Sequence, residues 1–341
     1  MRNLAARFFK EADFYKRTDK GVQCTICPHN CNLKDGQIGI CKSRINNKNI
    51  LYTTVYGRVC ALNIDPIEKK PLFHFYPKEM CLSLATTGCN LRCLNCQNSS
   101  ISQAAPDEVK ARFMSPESLV ETAVINDCRN IAYTYTEPFT YYEYSFDTAL
   151  KAHENRIRNI IVSAGYINEK PLRKMSKYID AANIDLKSFD NDIYKKLNGA
   201  TLQPVLNTLK ILKEEGVWLE ITNLLIPTIN DGPDMIKKMC SWLLSNGFEY
   251  NPLHFSRFFP IYKLTNLPPT TITLLCRARD IALSEGMKFV YMGNAPEFDG
   301  EDTYCPNCKA LLIKRRGFHV LENHIKNGSC NKCSTTIPGR F

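Results

Sequence analysis

The chain has 341 residues, of which 44% are apolar and 23% charged, a balance typical of globular proteins. Wholesale disorder, collagen-like repeats and a coiled-coil rod are excluded, and no run of about 18 apolar residues suggests a membrane span. The formal charge is +10, but basic pairs such as Lys69-Lys70, Lys195-Lys196 and Lys237-Lys238 are scattered, so charge alone does not imply a nucleic acid partner.

The first residues, MRNLAARFFKEADFYKR, lack the continuous apolar core of a signal peptide. They suit an amphipathic helix, while Glu11 and Asp13 argue against a transit peptide. Sixteen cysteines in such a chain read as reduced intracellular thiols bound to metal, and a cytoplasmic location is expected. Cys24, Cys27, Cys31 and Cys41 place four thiolates on a short polar segment. Zinc is the preferred ligand, with a second iron–sulfur cluster as the open alternative, because thiolates suit both. Pro66 to Phe75, which contains His74, either lines the entrance to the following domain or packs beneath it as an ordered connector.

From residue 80 the pattern alternates. Short runs rich in β-formers predict strands over Cys81–Thr86, Asn130–Thr134, Asn159–Ser163, Ala182–Leu186, Trp218–Ile226, Leu253–Phe258 and Lys288–Met292. Amphipathic segments over Pro116–Ile125, Phe139–His153, Glu169–Ile179, Gln203–Glu215, Pro233–Ser245 and Pro269–Glu285 predict helices. This alternation makes an α/β fold with a parallel sheet. Its length suits a partial (β/α) barrel better than a closed eight-fold one, with the chemistry at the C-terminal ends of the strands. The domain division expected is 1–79 for an N-terminal extension, 80–300 for the barrel and 301–341 for a C-terminal module.

The loop after the first of these strands carries Cys89, Cys93 and Cys96, spaced Cys-x3-Cys-x2-Cys. A structural zinc site wants four ligands, and a cubane iron–sulfur cluster usually has four thiolates. Three thiolates leave one iron of a cubane open. Near the C-terminus, Cys305-x2-Cys308 and Cys330-x2-Cys333 form two knuckles with zinc-ribbon spacing. Lys314-Arg315-Arg316 lies between them. A ribbon with a basic run can touch nucleic acid, but structural ribbons are common. Cys60, Cys81, Cys128, Cys240 and Cys276 read as small buried apolar residues.

The three-cysteine loop resembles that of the radical S-adenosylmethionine (SAM) superfamily. The resemblance implies a 4Fe-4S cluster whose open iron binds the amino and carboxylate groups of SAM. It also implies cleavage to methionine and a 5′-deoxyadenosyl radical that abstracts hydrogen from substrate. No side chain beyond the cluster ligands is assigned a catalytic role. Asn95 stands where the superfamily usually has an aromatic residue near the adenine. Glu137-Pro138 resembles the end of the Gly-Gly-Glu-Pro segment that binds the SAM amino group. Ser163-Ala164-Gly165 departs from the usual Thr-Asn-Gly but keeps a hydroxyl. Asp185-Leu186-Lys187 resembles the Asp-x-Lys of glycyl-radical-enzyme activases, whose lysine faces the SAM carboxylate. The segment around His254 is similar to one that puts a histidine near the nucleoside. A helix-start carboxylate at Glu137, a surface ion pair at Lys187 and a satisfied core histidine at His254 are the structural alternatives.

With the outer segments included, the resemblance is to the AmmeMemoRadiSam-system radical SAM enzymes, close to the pyruvate formate-lyase activases. The residues that carry it are Cys24 to Cys31, Val55-Tyr56-Gly57-Arg58, Ala61 to Phe75, Gln97-Asn98, Asn198-Gly199-Ala200 and the closing knuckles. It implies an oxidoreductase with a protein or peptide substrate and an electron donor such as flavodoxin or ferredoxin. Radical modification of a small metabolite or an RNA base is one alternative, and a non-catalytic zinc-ribbon binding protein is another.

Overall fold

The computed structural model describes residues 6–295 and 298–341. At its centre is an eight-stranded sheet made of β1 (Ala61–Pro66), β2 (Met80–Ala85), β3 (Asn130–Tyr133), β4 (Arg158–Ser163), β5 (Ala181–Asp185), β6 (Trp218–Leu225), β7 (Leu253–Arg257) and β8 (Val290–Gly293). The strands lie in chain order across the sheet. Those from β2 to β8 are parallel, while β1 runs antiparallel to β2 at one edge. The helices α1 (Pro116–Ile125), α2 (Tyr142–Glu154), α3 (Glu169–Ser176), α4 (Leu202–Glu214), α5 (Pro233–Ser245) and α6 (Ile272–Glu285) follow β2 to β7 in turn. Capping fixes where α1 and α6 begin. The Ser115 hydroxyl accepts from Ser118 N at 3.2 Å, and Thr271 Oγ1 from Leu274 N at 3.3 Å, satisfying N–H groups that have no partner within the helix.

The strands alternate in side-chain direction, which sorts them into two faces. Leu82, Leu84, Ile131, Tyr133, Ile161, Ile184, Ile221 and Phe255 join the large core shared with the helices. Cys81, Ala132, Ile160 and Ala181 form a separate core with Ile67, Leu72 and Phe75. Cys81 and Ala181 of the second set lie near the starts of their strands, and the segment from Pro66 to Phe75 packs against this set as the barrel floor. It does not line the entrance. Asn183 donates to Pro71 O at 2.8 Å, and the Phe73 and His74 N–H groups donate to Glu220 at 2.9 and 2.8 Å. The connector assigned to the N-terminal extension therefore supplies both the edge strand β1 and the floor of the barrel.

The amphipathic helix expected at the start is not formed within the described residues, and residues 1–5 lie outside them. Lys10–Glu11 pairs with Tyr52 and Thr53, and Tyr15–Thr18 pairs with Gly21–Cys24. This pairing satisfies the backbone and buries Phe8 and Ala12, so tertiary packing overrides the helical pattern. The C-terminal module is a three-stranded sheet of Thr303–Tyr304, Leu311–Arg316 and His319–Asn323. Its core residues Leu312 and Ile313 pack on Phe73, Phe289 and Tyr291, which closes the floor from below. Arg315, from the basic run, is buried there and donates to Phe73 O and Thr303 Oγ1, each at 2.7 Å. It serves the fold and is not presented to a partner. No helix among the described residues is long and apolar enough to cross a membrane.

Candidate functional site at the barrel mouth

The loop after β2 opens with Gly88 at φ +97°, and a Cβ there would lie 2.4 Å from the Cys41 carbonyl oxygen. Only glycine accepts both the conformation and the close approach. The loop is then pinned from the far side. Arg92 N donates to Asn198 O at 2.7 Å and Leu94 N to Leu197 O at 2.9 Å. Gly199, at φ +65°, lets the Tyr194–Asn198 turn end directly against Arg92. The Arg92 guanidinium donates to the carbonyls of Cys89 and Leu91 at 2.9 Å and also to that of Ile40. One side chain thus organises the carbonyls around the first cysteine.

Each sulfur has a polar neighbour. Leu91 N donates to Cys89 Sγ at 3.4 Å, Asn198 Nδ2 donates to Cys93 Sγ at 3.2 Å, and the Ser102 hydroxyl meets Cys96 Sγ at 3.1 Å. The three sulfurs do not all lie within 4.8 Å of one another; among the described residues only the C-terminal quartet meets that condition. A single ion would draw them closer than this, whereas a multi-iron cluster holds its thiolates further apart. Four buried polar atoms in and around the loop have no protein partner: Thr87 Oγ1, Asn90 Oδ1, Asn95 Oδ1 and Asn198 Oδ1. Buried polar atoms are normally paired, so a bound polar group fits this site. Thiolate donors, free acceptors and adjacent donors together suit a 4Fe-4S cluster and SAM.

The ends of the neighbouring strands supply charge. Lys187 Nζ donates to Asp185 at 2.9 Å, and Lys187 N donates to the Tyr194 hydroxyl at 3.0 Å. Burial opposes the ammonium charge, but Asp185 and the Cys93 sulfur outweigh it and hold the lysine pKa above its usual value. Glu137 is buried at the start of the turn leading to α2. Its carboxylate accepts from Ser163 Oγ at 2.7 Å and from Ala164 N at 3.0 Å. Burial pushes its pKa up to about 7, and these donors limit the rise. Glu137 and Ser163 thus form one unit. Burial, followed by the Glu137 carboxylate, pushes the Cys89 thiol well above its usual pKa.

The structure brings together Cys89, Cys93, Cys96, Asn95, Glu137, Ser163, Asp185 and Lys187, but it puts His254 in another network. His254 is 2% exposed. Its Nε2 meets Glu220 at 2.7 Å, and its ring stacks on Tyr291 with centroids 5.2 Å apart. Glu220 also holds the floor residues Phe73 and His74, so His254 is accounted for as a satisfied core histidine. Asn198, Ser102 and Tyr194 were not assigned roles from the sequence. The Asn198-Gly199 pair is a turn signal, but nothing in it announces that its amide reaches a cysteine 105 residues away.

The C-terminal cysteines make a different arrangement. Cys305, Cys308, Cys330 and Cys333 have all four sulfurs within 4.8 Å of one another, with Cys305–Cys333 at 3.6 Å and Cys308–Cys330 at 3.7 Å. Zinc–sulfur bonds of about 2.3 Å in a tetrahedron put the sulfurs about 3.8 Å apart. The quartet therefore fits one tetrahedral ion.

The model of the radical SAM superfamily matches residues 83–243. An uncharacterized protein of Methanocaldococcus jannaschii is 48% identical over 331 residues, covering 96% of this chain and 98% of its own. The 4-hydroxyphenylacetate decarboxylase activating enzyme of Clostridium scatologenes is 26% identical over 176 residues, or 48% of this chain and 54% of that one. The chain therefore spans about half the length of that activating enzyme. Among solved structures, Streptococcus suis SuiB bound to S-adenosylmethionine aligns with a TM-score of 0.52 at 15% identity, covering 70% of this chain and 56% of that chain. Residues 83–243, which hold the cysteine loop at the mouth of the partial parallel barrel, are therefore a radical SAM domain.

Proposed function

We propose that the chain is a radical SAM oxidoreductase in which Cys89, Cys93 and Cys96 hold three irons of a 4Fe-4S cluster and leave the fourth to SAM. When bound, the reduced cluster supplies the electron that splits SAM into methionine and a hydrogen-abstracting 5′-deoxyadenosyl radical. The chain's own residues bind and orient. Asn198 donates to the Cys93 sulfur, and hydrogen bonds to sulfur tune cluster potential. The Lys187 ammonium, steadied by Asp185, would hold the SAM carboxylate. The Glu137–Ser163 unit would hold the amino group, and Asn95 would offer its free carbonyl oxygen to the nucleoside. The observation that carries this reading is the mouth itself, with three sulfurs too widely spaced for one ion beside buried polar atoms that lack partners.

The activating enzymes among the relatives support a protein or peptide as the hydrogen donor, with a small one-electron protein such as flavodoxin or ferredoxin as reductant. Residues 80–300 form the catalytic part. The C-terminal module, residues 301–341, carries a structural zinc ion on its four cysteines. The test is anaerobic purification followed by electron paramagnetic resonance of the reduced protein with and without SAM. The reading requires a cluster signal that changes shape when SAM is added, and release of 5′-deoxyadenosine. Deuterium carried from a candidate peptide into 5′-deoxyadenosine would identify the substrate. A colourless protein holding only zinc would reject enzyme function in favour of a binding protein.

A further inference from the structure

We propose that Cys24, Cys27, Cys31 and Cys41 hold a second iron–sulfur cluster, a cubane with every iron bound by protein, and not a zinc ion. The folding of the segment makes the site. Gly21–Cys24 pairs with Asn32–Leu33, and Cys24 N donates to Cys31 O at 3.0 Å. This turns the loop carrying Cys27 back on itself. The tight turn in which Gly39 N donates to Arg44 O at 2.9 Å then brings Cys41 in from the other side. All four cysteines line one small pocket, otherwise walled mainly by Ile26, Leu33 and Ile40.

The molecule carries its own standards for what occupies such a space. The C-terminal quartet already has the sulfur spacing of a tetrahedral ion, at 3.6 and 3.7 Å. In the N-terminal quartet, as in the Cys89–Cys93–Cys96 set, no three sulfurs lie within 4.8 Å of one another among the described residues. The four thiols thus stand further apart than the ligands of one tetrahedral ion. A cubane places its four thiolates outside its own corners, at the wider spacing.

A second observation points into the same space. Arg44 is 1% exposed and lines it. Two of its nitrogens donate to Glu143 at 3.0 and 2.8 Å, while its Nε is buried without a partner. A buried cation with a free donor beside four thiols calls for an anionic, hydrogen-bond-accepting occupant. A tetrathiolate zinc and a tetrathiolate cubane both meet the charge requirement, so the sulfur spacing decides between them. The site lies directly behind the SAM loop. Asn90, the neighbour of Cys89, lines the space, and the Cys41 carbonyl sits against Gly88. With four protein ligands the second cluster has no open iron and does not bind SAM.

The experiment is metal and sulfide analysis of the anaerobically purified full chain, together with the Cys89→Ala/Cys93→Ala/Cys96→Ala variant. The parent should contain about eight irons, about eight sulfides and about one zinc. The triple variant should keep about four irons and a reduced-state paramagnetic signal that SAM does not alter. About two zincs per chain, with a triple variant devoid of iron, would overturn the proposal. Should the triple variant fail to fold, the iron-to-zinc ratio of the parent decides alone, near eight to one against four to two. If the SAM reading is wrong and this one right, the triple variant holds as much iron as the parent, and neither protein's signal responds to SAM.

Discussion

The two ends of the barrel are built from similar residue types and use them in opposite ways. At the floor, the Glu220 carboxylate takes four donors: Phe73 N, His74 N, Trp218 Nε1 and His254 Nε2. At the mouth, Thr87 Oγ1, Asn95 Oδ1 and Asn198 Oδ1 are buried and unmatched. A buried histidine is therefore a poor marker of the site in this fold. Hydrogen-bonding capacity left open beside the cysteines is the better marker, because burying an unpaired polar atom costs about 1–3 kcal/mol and a bound ligand removes that cost. The floor is not wholly matched either, since Arg315 Nε is buried there without a partner, so the open groups mark the site by their place beside the cysteines.

This contrast breaks most sharply if the cysteines are removed. The Cys89→Ala/Cys93→Ala/Cys96→Ala variant should lose all SAM-dependent change in the paramagnetic signal and all 5′-deoxyadenosine release, measured by chromatography, while near-ultraviolet circular dichroism of the floor aromatics stays unchanged. Retained release would mean that the mouth is not the reactive end. The reciprocal change, Glu220→Ala, should leave the cluster signal in place and cost about 3–5 kcal/mol of stability, the usual penalty for breaking a buried charged network. Denaturant titration followed by tryptophan fluorescence would measure it, since Trp218 bonds Glu220 directly. A full cluster with no loss of stability would show that the floor is not held as described.

The floor should also respond to acid. His74 Nδ1 lies 2.8 Å from Pro338 O and Nε2 lies 2.5 Å from the Tyr291 hydroxyl, an arrangement that a neutral ring satisfies by donating at Nδ1 and accepting at Nε2. Burial lowers its pKa to about 4, opposed by Glu220. The unfolded chain, with an ordinary histidine pKa near 6.5, binds the proton first as pH falls. Stability contributed by the neutral ring is thus complete above about pH 6.5 and is lost progressively down to about pH 4. Between pH 7.5 and pH 5 the loss attributable to His74 is about 2 kcal/mol. His74→Gln should flatten that part of the stability–pH curve, and an unchanged slope would refute the assignment.

The barrel was legible in the sequence because alternation and length carry it. The strands expected at Trp218–Ile226 and Leu253–Phe258 appear as Trp218–Leu225 and Leu253–Arg257, and the helix expected at Pro233–Ser245 appears with the same bounds. β1 carries no strand signal in the sequence. It is a half-exposed edge whose partner is antiparallel and reached through the floor segment, so neither periodicity nor a hairpin turn signals it. The expected N-terminal helix gave way to strands whose partners lie up to 43 residues away. That the three cysteines cluster was legible from spacing alone, because residues on one loop are local in sequence. His254 was not placed correctly, since a strand position cannot tell a histidine that faces the mouth from one that is pulled down onto a carboxylate. The metal of the N-terminal quartet was also beyond the sequence. Spacing shows that four thiols can meet, while the distance at which they meet depends on Gly39, the Arg44–Glu143 pair and the turn between them.

The smallest predicted effect tests the mouth most finely. Asn198 reaches Cys93 Sγ through a single N–H at 3.2 Å, and its backbone carbonyl separately holds Arg92 N. Asn198→Ala therefore removes the side-chain donor but leaves the carbonyl that shapes the loop. A donor to a thiolate stabilises the more negative, reduced cluster more than the oxidised one, so its loss should move the midpoint potential negative with iron content unchanged. One hydrogen bond to a charged acceptor contributes about 1.5 kcal/mol, which is about a tenfold slower SAM cleavage at fixed reductant. Asn198→Asp sharpens the result, because a carboxylate of nearly the same shape cannot donate and repels the sulfur, so its shift should exceed that of alanine. If both variants kept the parent potential while cleavage slowed, Asn198 would act through the loop backbone, and the role of its amide in tuning the cluster would fall.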